Sequence, residues 1–527
     1  MSAALDPNGA EASDGPVAKP RKGWRGCRMV AGCGCLGCLT LAVCGVMLLF
    51  LMLSKVPGSY PGPKSKIPPP QPAAQDPREA AVPGFVSPYL GHTGSWDGKG
   101  GTWGGGSKVS DLDLERSMGL RWTFMPVYWS AFEPEAPGRG GRADRVEAAW
   151  EELDAFVVEA LRRDMHILMQ APVVGGNAGG PPAWAGVRER GKSAPMRMDA
   201  VAAFAGRLAE RYAPGGLLAQ AQRWGDGYGV RAWELDNEPD GYRTSWAGQA
   251  ADYAEFAVKV AAEIRRHDPR ALIIGPGVMG GGQGASWMEG GLDAAGMRGS
   301  PEYRRLGVPH SFGPVFDAIS FHVYEGLDSA FAGHPRTIEV ALGEVQEKVY
   351  QWETRSKGFE YRHHEEFWHT EGNYDFLGVL SAKRRAAWRW QFYTRAFAAG
   401  VRKVAVMDPS KPEQVAIRAY VKALPDPFPM MEAGGEATVA SGRAVVYRHR
   451  RGDALGAKMG GGTVWVLWAE AGGQGAEVEI PTEGGECSVV GLDGAEVSRS
   501  AVSGRLKVVL AGDAKMAPPI LVVDTGR

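Results

Sequence analysis

The chain has 527 residues, of which 44% are apolar and 23% charged, and its formal net charge is −1. This length predicts two or more domains with an ample core, and the near-neutral charge excludes the basic footprint of a nucleic-acid-binding protein. Five of the six cysteines lie between Cys27 and Cys44, which excludes a disulfide framework from the rest of the chain and leaves no spacing typical of structural zinc.

An uncharged apolar run near the N-terminus is long enough to cross a membrane. Residues 29–53 contain no charged side chain, and as a helix they would span roughly 37 Å, more than a hydrocarbon core of about 30 Å. Arg and Lys side chains cluster just before the run, whereas only Lys55 follows it closely. The positive-inside rule therefore predicts a cytoplasmic tail at residues 1–28, an anchor in the lipid bilayer, and an extracytoplasmic remainder.

Two other interpretations of this run are weaker. A cleaved signal peptide would have an apolar region of about 7–15 residues and a small-residue cleavage site, and neither is present here. A lipoprotein signal ending at Cys44 fits poorly because the apolar run continues beyond it. Residues 54–83 are rich in proline, which predicts an extended spacer between the anchor and the following domain.

From residue 84 to residue 425, short apolar runs alternate with longer stretches of helical spacing. The predicted strands are 85–91, 121–129, 166–173, 230–237, 271–278, 316–324, 366–373 and 401–408. The predicted helices are 145–165, 198–213, 248–269, 337–356, 382–400 and 412–424. Eight strands in this alternation predict an α/β fold, a (β/α)8 TIM barrel.

A doubly wound parallel sheet is the competing architecture. It would normally carry a glycine-rich phosphate turn between an early strand and a helix. The glycine-rich segment after Val278 follows a strand but leads into no clear helix, so we interpret it as a loop.

Residues 430–527 change character and predict a C-terminal β-sandwich. Short β-branched runs alternate with glycine-rich turns, at 444–450, 463–469, 476–481, 487–494, 505–510 and 519–525. This pattern is typical of antiparallel strands. The run at 463–469 is apolar on both faces, so we expect it to be buried on two sides. A structural domain docked on the barrel is favoured over a separate sugar-binding module.

Polar residues stand at the carboxyl ends of three barrel strands, which is where TIM barrels carry their chemistry. The fourth strand ends in Asn237-Glu238-Pro239, the sixth carries His322 and Tyr324, and the seventh ends at Glu371. Two carboxylates that flank a scissile bond are the recurring requirement of glycoside hydrolysis. We therefore predict that Glu238 and Glu371 face each other across a cleft.

The motifs around these residues resemble those of clan A glycoside hydrolases. "DNEP" at the fourth strand and "TEG" at the seventh, with "YWSAFEPE", "PPAWA" and "FHVY" elsewhere, are most similar to family 39, with families 5 and 30 close behind. The resemblance covers roughly residues 85–425. It implies a retaining β-glycosidase with Glu238 as acid/base and Glu371 as nucleophile.

Two positions depart from the pattern of that clan. Many members have an arginine near the end of the second strand, where this chain has Thr123, Phe124 and Met125. Many also end the eighth strand in tryptophan, where this chain has Met407 and Asp408. Both positions usually shape the sugar pocket. The departures therefore leave the two glutamates in place, but they do not indicate which sugar is the substrate.

Five further residues are predicted to bind substrate. Asn237 can hold a sugar hydroxyl beside the acid/base. His322 and Tyr324 are two residues apart and share a strand face, from which Tyr324 can reach the nucleophile, although a satisfied interior pair is an equal alternative. Trp129 and Trp184 follow strand ends and could stack on sugar rings, or simply pack.

The sequence thus predicts a membrane-anchored retaining glycosidase acting on an oligo- or polysaccharide, with no cofactor and no metal. Two alternatives stay open. One is a glycan-binding barrel without catalysis. The other is a metal-dependent hydrolase that uses Asp236, Glu238, His322, His369 and Glu371, although no compact ligand motif supports it. We expect Glu234 to make contacts inside the barrel and His369 to face the helix layer.

Overall fold

The structure is a computed structural model, and the chain divides into the units Met1–Met52 and Leu53–Arg527. All described residues lie in the second unit. They are 87–92, 108–136, 143–174, 181–187, 195–225, 227–240, 250–279, 315–332, 336–355, 366–374, 379–427, 430–432, 436–451, 462–472 and 474–524.

Within those ranges, no helix combines the length and the apolar character needed to cross a bilayer. The predicted anchor at residues 29–53 and the predicted spacer at residues 54–83 lie outside the described residues. Both stay predictions.

Eight parallel strands close into a barrel in chain order, with β1 paired to both β2 and β8. They are β1 (Tyr89–His92), β2 (Trp122–Tyr128), β3 (His166–Val173), β4 (Ala232–Glu234), β5 (Leu272–Met279), β6 (Ala318–His322), β7 (Glu366–Glu371) and β8 (Val401–Met407). This closure confirms the predicted barrel and excludes a doubly wound sheet. The largest difference is β4, which has three residues instead of the predicted eight positions at 230–237.

Ten described α-helices accompany the strands. They are α1 (Val109–Ser117), α2 (Trp129–Phe132), α3 (Ala143–Arg162), α4 (Met198–Tyr212), α5 (Leu217–Gln222), α6 (Ala250–His267), α7 (Glu325–Ala332), α8 (Ile338–Arg355), α9 (Ala382–Ala399) and α10 (Lys411–Ala423). Helix α9 shows why the sequence sets these ends. The Ser381 hydroxyl accepts a hydrogen bond from Arg384 N, and Gly400 ends the helix at φ +101°, a conformation that glycine adopts without steric cost.

The amino-terminal end of the barrel is filled by large side chains. The Trp122 and Trp368 rings meet edge to face at 5.7 Å inside the barrel. The Lys403 ammonium lies 4.2 Å from the Trp122 ring centroid and donates to Ser87 O at 2.9 Å. Because this end is packed, the carboxyl ends of the strands are left to form the functional mouth.

The C-terminal strands form two antiparallel sheets of a sandwich. One has the order β10 (Thr438–Ser441), β13 (Ala476–Pro481), β16 (Arg505–Leu510). The other has the order β15 (Glu496–Ser500), β14 (Glu486–Val490), β17 (Ile520–Asp524), β12 (Gly462–Ala469), β11 (Ala444–Arg451), β9 (Met431–Glu432). The predicted antiparallel character of this region is therefore confirmed.

Strand β12 connects the sandwich core to the barrel core. Trp465 and Leu467 pack between the two sheets, whereas Val466 and Trp468 join the apolar cluster that includes the barrel helices. Gln391 Nε2 on α9 also donates to Ala517 O at 2.7 Å. The strand is buried on both faces, as its sequence predicted, because one face is covered by the second sheet and the other by the barrel.

A buried ion pair joins the last two barrel helices. Arg389 Nε on α9 donates to Glu413 Oε1 on α10 at 2.8 Å, and both side chains are fully buried. Glu413 Oε2 receives Arg385 Nε at 3.1 Å and the backbone N–H of Ser410 at 3.0 Å. Removing one partner of such a pair leaves an uncompensated charge in the interior.

We therefore expect Glu413→Ala to lower the free energy of unfolding by roughly 3–5 kcal/mol. Urea denaturation followed by tryptophan fluorescence measures this change. Glu263→Ala is the matched control, because Glu263 pairs with Arg266 on the surface of α6, where the Arg266 side chain is largely exposed, and surface pairs contribute little. Equal unfolding curves for the two variants would contradict the expected role of the buried pair.

Candidate active site

The strand ends predicted to carry chemistry come together at the mouth of the barrel. Glu371 is the last residue of β7 and His322 the last residue of β6, while Glu238 follows β4. One carboxyl oxygen from each glutamate and one His322 ring nitrogen all lie within 4.8 Å of one another. All three side chains are largely buried.

Glu238 reaches this position through a tight turn after the short strand β4. Asp236 and Glu238 both have positive φ, at 64° and 44°. Asp236 Oδ1 accepts the N–H of Val174 beyond β3 at 3.1 Å, and the Glu238 N–H donates to Gly277 O in β5 at 3.2 Å. Left-handed backbone in residues other than glycine is uncommon and concentrates at functional sites. The neighbouring strands thus hold the turn in the conformation that aims Glu238 at the mouth.

A bulge in β7 sets the direction of Glu371. The register with β6 pairs Phe321 with His369 and His322 with Glu371, so Thr370 has no partner of its own. The Thr370 hydroxyl donates to Glu234 Oε1 inside the barrel at 2.7 Å. Because the bulge adds one residue, the simple alternation that would place His369 and Glu371 on one face no longer applies.

His369 accordingly leaves the site. Its ring is fully buried and lies 5.0 Å from the Phe392 ring of α9, so it faces the helix layer as the sequence predicted. Asp236 is also occupied elsewhere, since its carboxylate holds the backbone of Val174. Of the five residues considered for a metal site, the structure therefore brings together Glu238, His322 and Glu371.

The two oxygens of the Glu371 carboxylate have different surroundings. The Tyr324 hydroxyl donates to Oε1 at 2.8 Å and also lies 3.5 Å from Met407 Sδ. Oε2 is buried, has no hydrogen-bond partner in the described part of the chain, and lies 3.9 Å from His322 Nδ1. Tyr324 therefore orients the carboxylate and leaves Oε2 available at the mouth.

His322 carries the positive charge of the site. Its Nδ1 lies 2.9 Å from Glu238 Oε1. Burial alone would lower the pKa of His322, but the negative charges of Glu371, Glu238 and Glu234 outweigh it and raise this pKa to about 9. The imidazole is therefore protonated at neutral pH and donates to Glu238.

Protonation of His322 should make stability depend on pH. Because its folded pKa of about 9 lies above the ordinary 6.5, its contribution is complete below pH 6.5 and is lost as pH rises through 9. We expect the Tm of the wild type to fall more between pH 7 and pH 9.5 than that of His322→Gln, measured by differential scanning fluorimetry. His267→Gln, at the half-buried last residue of α6, is the control, and parallel curves for all three proteins would contradict the assignment.

Polar residues inside the barrel, behind the two glutamates, form hydrogen bonds that support the site. Gln170 Nε2 donates to Glu234 Oε2 and to Asn237 Oδ1, each at 3.1 Å. Burial raises the pKa of Glu234, against the opposing effects of His322 and of its hydrogen bonds. Asn237, a predicted substrate ligand, is half-buried beside Glu238. Glu234 thus makes the interior contacts expected of it, and Gln170, which the sequence analysis missed, fixes Asn237.

The predicted aromatic ligands lie differently. Trp129 is fully buried, its Nε1 donates to Glu133 Oε2 at 2.8 Å, and its ring stacks on Phe204 at 6.5 Å. A ring enclosed in this way has no face left for a sugar, so the structure does not place Trp129 in the site. Trp184 is half-buried and donates to Glu133 O at 2.7 Å. Its predicted contact with substrate stays a prediction.

Two acids near the mouth were not singled out from the sequence as site residues. Asp240 accepts the Met279 N–H at 2.9 Å, and burial together with the charge of Glu238 raises its pKa to about 7. Asp408 follows β8 with φ +38° and a solvent-facing side chain. Partial desolvation at the crowded mouth, with the charges of Asp111 and Glu371, raises the pKa of Asp408 to about 6. Two signals in the sequence were available, namely the proximity of Asp240 to the "DNEP" motif and the position of Asp408 at the end of the eighth strand.

No protein-family model matches the chain, and no curated protein matches it either. Solved structures share its fold, and we compare two of them. A family 39 glycoside hydrolase from the gut symbiont Bacteroides cellulosilyticus WH2 aligns with a TM-score of 0.53 at 17% identity, over 84% of this chain and 82% of that one. A GH30 endoxylanase from Clostridium papyrosolvens C71 aligns with a TM-score of 0.50 at 11% identity, over 83% and 96%. The chain has the barrel fold of glycoside hydrolases from two families that its motifs resemble.

Proposed function

We propose that this protein is a retaining glycoside hydrolase that cleaves β-glycosidic bonds of an oligo- or polysaccharide by double displacement. The observation that carries the proposal is the approach of a Glu238 oxygen and a Glu371 oxygen to within 4.8 Å at the barrel mouth. Retaining enzymes hold their two carboxyl groups about 5–5.5 Å apart, whereas inverting enzymes need about 6.5–9.5 Å to admit a water molecule. The short separation favours retention.

In the first step, Glu371 Oε2 attacks the anomeric carbon and the bond to the leaving oxygen breaks. Oε2 is the suitable atom because Oε1 is engaged by Tyr324. The leaving oxygen takes the proton of the Glu238 carboxyl group, which is left as a carboxylate 2.9 Å from the protonated His322 ring. The product of this step is a covalent glycosyl ester on Glu371.

In the second step, Glu238 acts in the opposite direction. As a carboxylate it removes a proton from a water molecule, which attacks the anomeric carbon and releases Glu371. Two inversions restore the original configuration of the sugar. His322 supports both steps, since its charge lies between the two carboxylates and stabilises whichever one is ionised.

The stereochemical outcome tests the proposal directly. The protein is incubated with β-linked aryl glycosides and polysaccharides, and the first-formed anomer is followed by proton NMR before mutarotation. The β anomer is expected. An α anomer would show inversion and would overturn the assigned mechanism, and an absence of turnover across the panel would favour the alternative of a glycan-binding barrel without catalysis.

Tyr324→Phe removes the hydroxyl that orients the Glu371 carboxylate but keeps the carboxylate itself. We therefore expect this variant to lower activity without abolishing it. Loss of one hydrogen bond to a charged group corresponds to a fall in kcat/KM of roughly 10- to 100-fold on aryl glycosides. The matched control is Tyr420→Phe, because the Tyr420 hydroxyl bonds Thr394 between helices α9 and α10, away from the mouth. Equal activity in the two variants would remove Tyr324 from the mechanism.

A metal-dependent hydrolase is the second candidate, because Glu238, His322 and Glu371 could in principle surround a cation. A metal would have to displace a proton from His322, whose pKa is raised by the neighbouring carboxylates, and this competition lowers metal affinity. Activity that is unchanged after EDTA treatment and dialysis would support the glycosidase, whereas activity restored only by an added divalent cation would support the metal enzyme.

We further propose that this reaction takes place outside the cytoplasm. This proposal rests on the predicted anchor at residues 29–53 and the proline-rich spacer at 54–83, which would hold the barrel near a surface or secreted glycan. Protease treatment of intact cells that produce the full chain tests this arrangement. Digestion of the barrel without cell lysis supports it, and protection of the barrel until lysis would contradict it.

A further inference from the structure

Among the described residues, the mouth of the barrel carries more carboxyl groups than double displacement requires. Besides Glu238 and Glu371, Asp240 and Asp408 border it, and His322 is the cation between the glutamates. A mouth with this charge attracts cations and repels anions. Asp240 and Asp408 are therefore candidates for residues that determine which sugar binds.

Asp408 is the more informative of the two. It stands at the end of β8, next to Met407, whose sulfur touches the hydroxyl of Tyr324, which holds Glu371. Its own N–H donates to His92 O at 3.2 Å, and its backbone is left-handed at φ +38°. The hydrogen bond and the left-handed φ both constrain the backbone of Asp408. In the described part of the chain, no hydrogen bond or ion pair engages its carboxylate.

Among the described residues, one cation lies close enough to influence Asp408 without pairing with it. Arg389 lowers the pKa of Asp408 through its charge. The guanidinium is nevertheless fully buried, bonded to Glu413 Oε1 at 2.8 Å and to the carbonyl of Met407. It lies behind the strand and is not available to substrate or to solvent.

The buried oxygen of Glu371 supplies an independent indication of where the ligand sits. Glu371 is 8% exposed, and its Oε2 has no hydrogen-bond partner in the described residues while it faces the same mouth. Glu371 ends β7 and Asp408 follows the neighbouring strand β8, so a sugar ring with its anomeric carbon at Oε2 comes within reach of the end of β8. The Asp408 carboxylate, which has no hydrogen-bond or ion-pair partner among the described residues, is thus positioned to contact the substrate.

We propose that Asp408 is a specificity residue that selects a sugar with a protonated amine, as in a de-N-acetylated amino sugar, for the subsite beside Glu371. The inference rests on the proposed glycosidase function and names its substrate class. An ammonium group would place a positive charge beside Asp408 and would offer donors that its carboxylate can accept. A neutral sugar would leave Asp408 with hydroxyl contacts alone.

Matched substrates test the proposal. Aryl β-glycosides of glucose and galactose are compared with their 2-amino and 6-amino counterparts in wild type, Asp408→Asn and Asp493→Asn. Asp493 lies in a turn of the sandwich and serves as the control. We expect at least one amino glycoside to exceed its neutral counterpart in kcat/KM by roughly fivefold to tenfold in wild type and in the control, and this preference to vanish in Asp408→Asn and to weaken with salt.

Several outcomes would overturn the proposal. Wild type could turn over both substrates of every pair equally, or Asp408→Asn could slow both equally, which would indicate a hydroxyl acceptor. Calorimetric titration with chitosan oligomers and with cello-oligomers supplies a readout without turnover. Preferential binding of chitosan oligomers that Asp408→Asn abolishes would support the specificity even if hydrolysis fails, and absence of that preference would refute it. Failure of all turnover concerns the proposed function instead.

Discussion

Glu371→Gln is expected to lower kcat on every aryl β-glycoside by more than about ten-thousandfold, because loss of a nucleophile that works as part of a unit removes most of the catalytic effect. Glutamine has nearly the same shape as glutamate, and its amide oxygen can still accept the Tyr324 hydroxyl. What it lacks is the ionised Oε2, the one oxygen of Glu371 that the described residues leave without a hydrogen bond. Initial rates with nitrophenyl glycosides measure the loss.

The control for this variant lies at the other end of the same strand. Glu366 begins β7 and accepts Trp368 Nε1 at 2.9 Å, far from the mouth, so Glu366→Gln should retain activity. A smaller variant, Glu371→Ala, adds a positive test. Azide that enters the vacated space attacks the anomeric carbon once, so the product should be the α-glycosyl azide. Turnover by Glu371→Gln near the wild-type rate would remove Glu371 from the mechanism.

The barrel could be predicted from the sequence because its strands and helices have different apolar periods. The helix at 145–165 shows three- and four-residue spacing, and the strand at 166–173 is a continuous apolar run. Both appear in the structure nearly as predicted, as α3 and β3. The barrel closure followed from the number of strands and their order, which sequence periodicity determines well.

Details at the strand ends could not be predicted from periodicity. Strand β4 is shorter than expected because Asp236 and Glu238 have left-handed backbone conformations that form a turn. The pattern of apolar residues does not predict this turn. The bulge at Thr370 could not be predicted either, since it depends on the register between β7 and β6. Such irregular positions concentrate at functional sites, so the pattern fails where the chemistry is.

Sequence position also gave incomplete information on which aromatic rings reach the mouth. Trp129 and Trp184 both follow strand ends, but Trp129 is completely buried and Trp184 is half-buried. Trp129 begins α2 and packs against Phe204 of α4. Large aromatic rings gain most from full burial. The packing of the neighbouring helices decides whether a ring stays at the surface, and the sequence of a single strand does not predict that packing.

The same limit explains why Asp408 was noted only as a departure. The sequence shows an acid where many members of the clan that its motifs resemble have tryptophan, and it does not show whether a basic side chain neutralises that acid. The structure supplies that information, since the nearby Arg389 is committed to Glu413. A substitution thus acquires a chemical meaning only when the partners of the new side chain are known.

Glu238→Ala is expected to give a loss that depends on the leaving group. For a sugar or alkyl leaving group, which needs a proton to depart, kcat/KM should fall by about 10²- to 10⁴-fold, the usual range for general acid catalysis. For dinitrophenolate, which departs without a proton, the first step should be nearly unaffected. The contrast has a structural basis, because Glu238 is linked to the protonated His322 ring at 2.9 Å and supplies protons without forming a bond to carbon.

Two measurements complete this test. The glycosyl ester should accumulate in Glu238→Ala with the dinitrophenyl substrate, because the attacking water has lost its base, and mass spectrometry of the intact protein would detect the added sugar. Azide, which needs no base, should accelerate turnover and give the β-glycosyl azide, the opposite anomer from that of Glu371→Ala. Asp240→Asn is the comparison variant two residues away. If Glu238→Ala slowed all leaving groups equally, or if both glutamate variants gave the same azide anomer, the division of roles between the two carboxylates would be wrong.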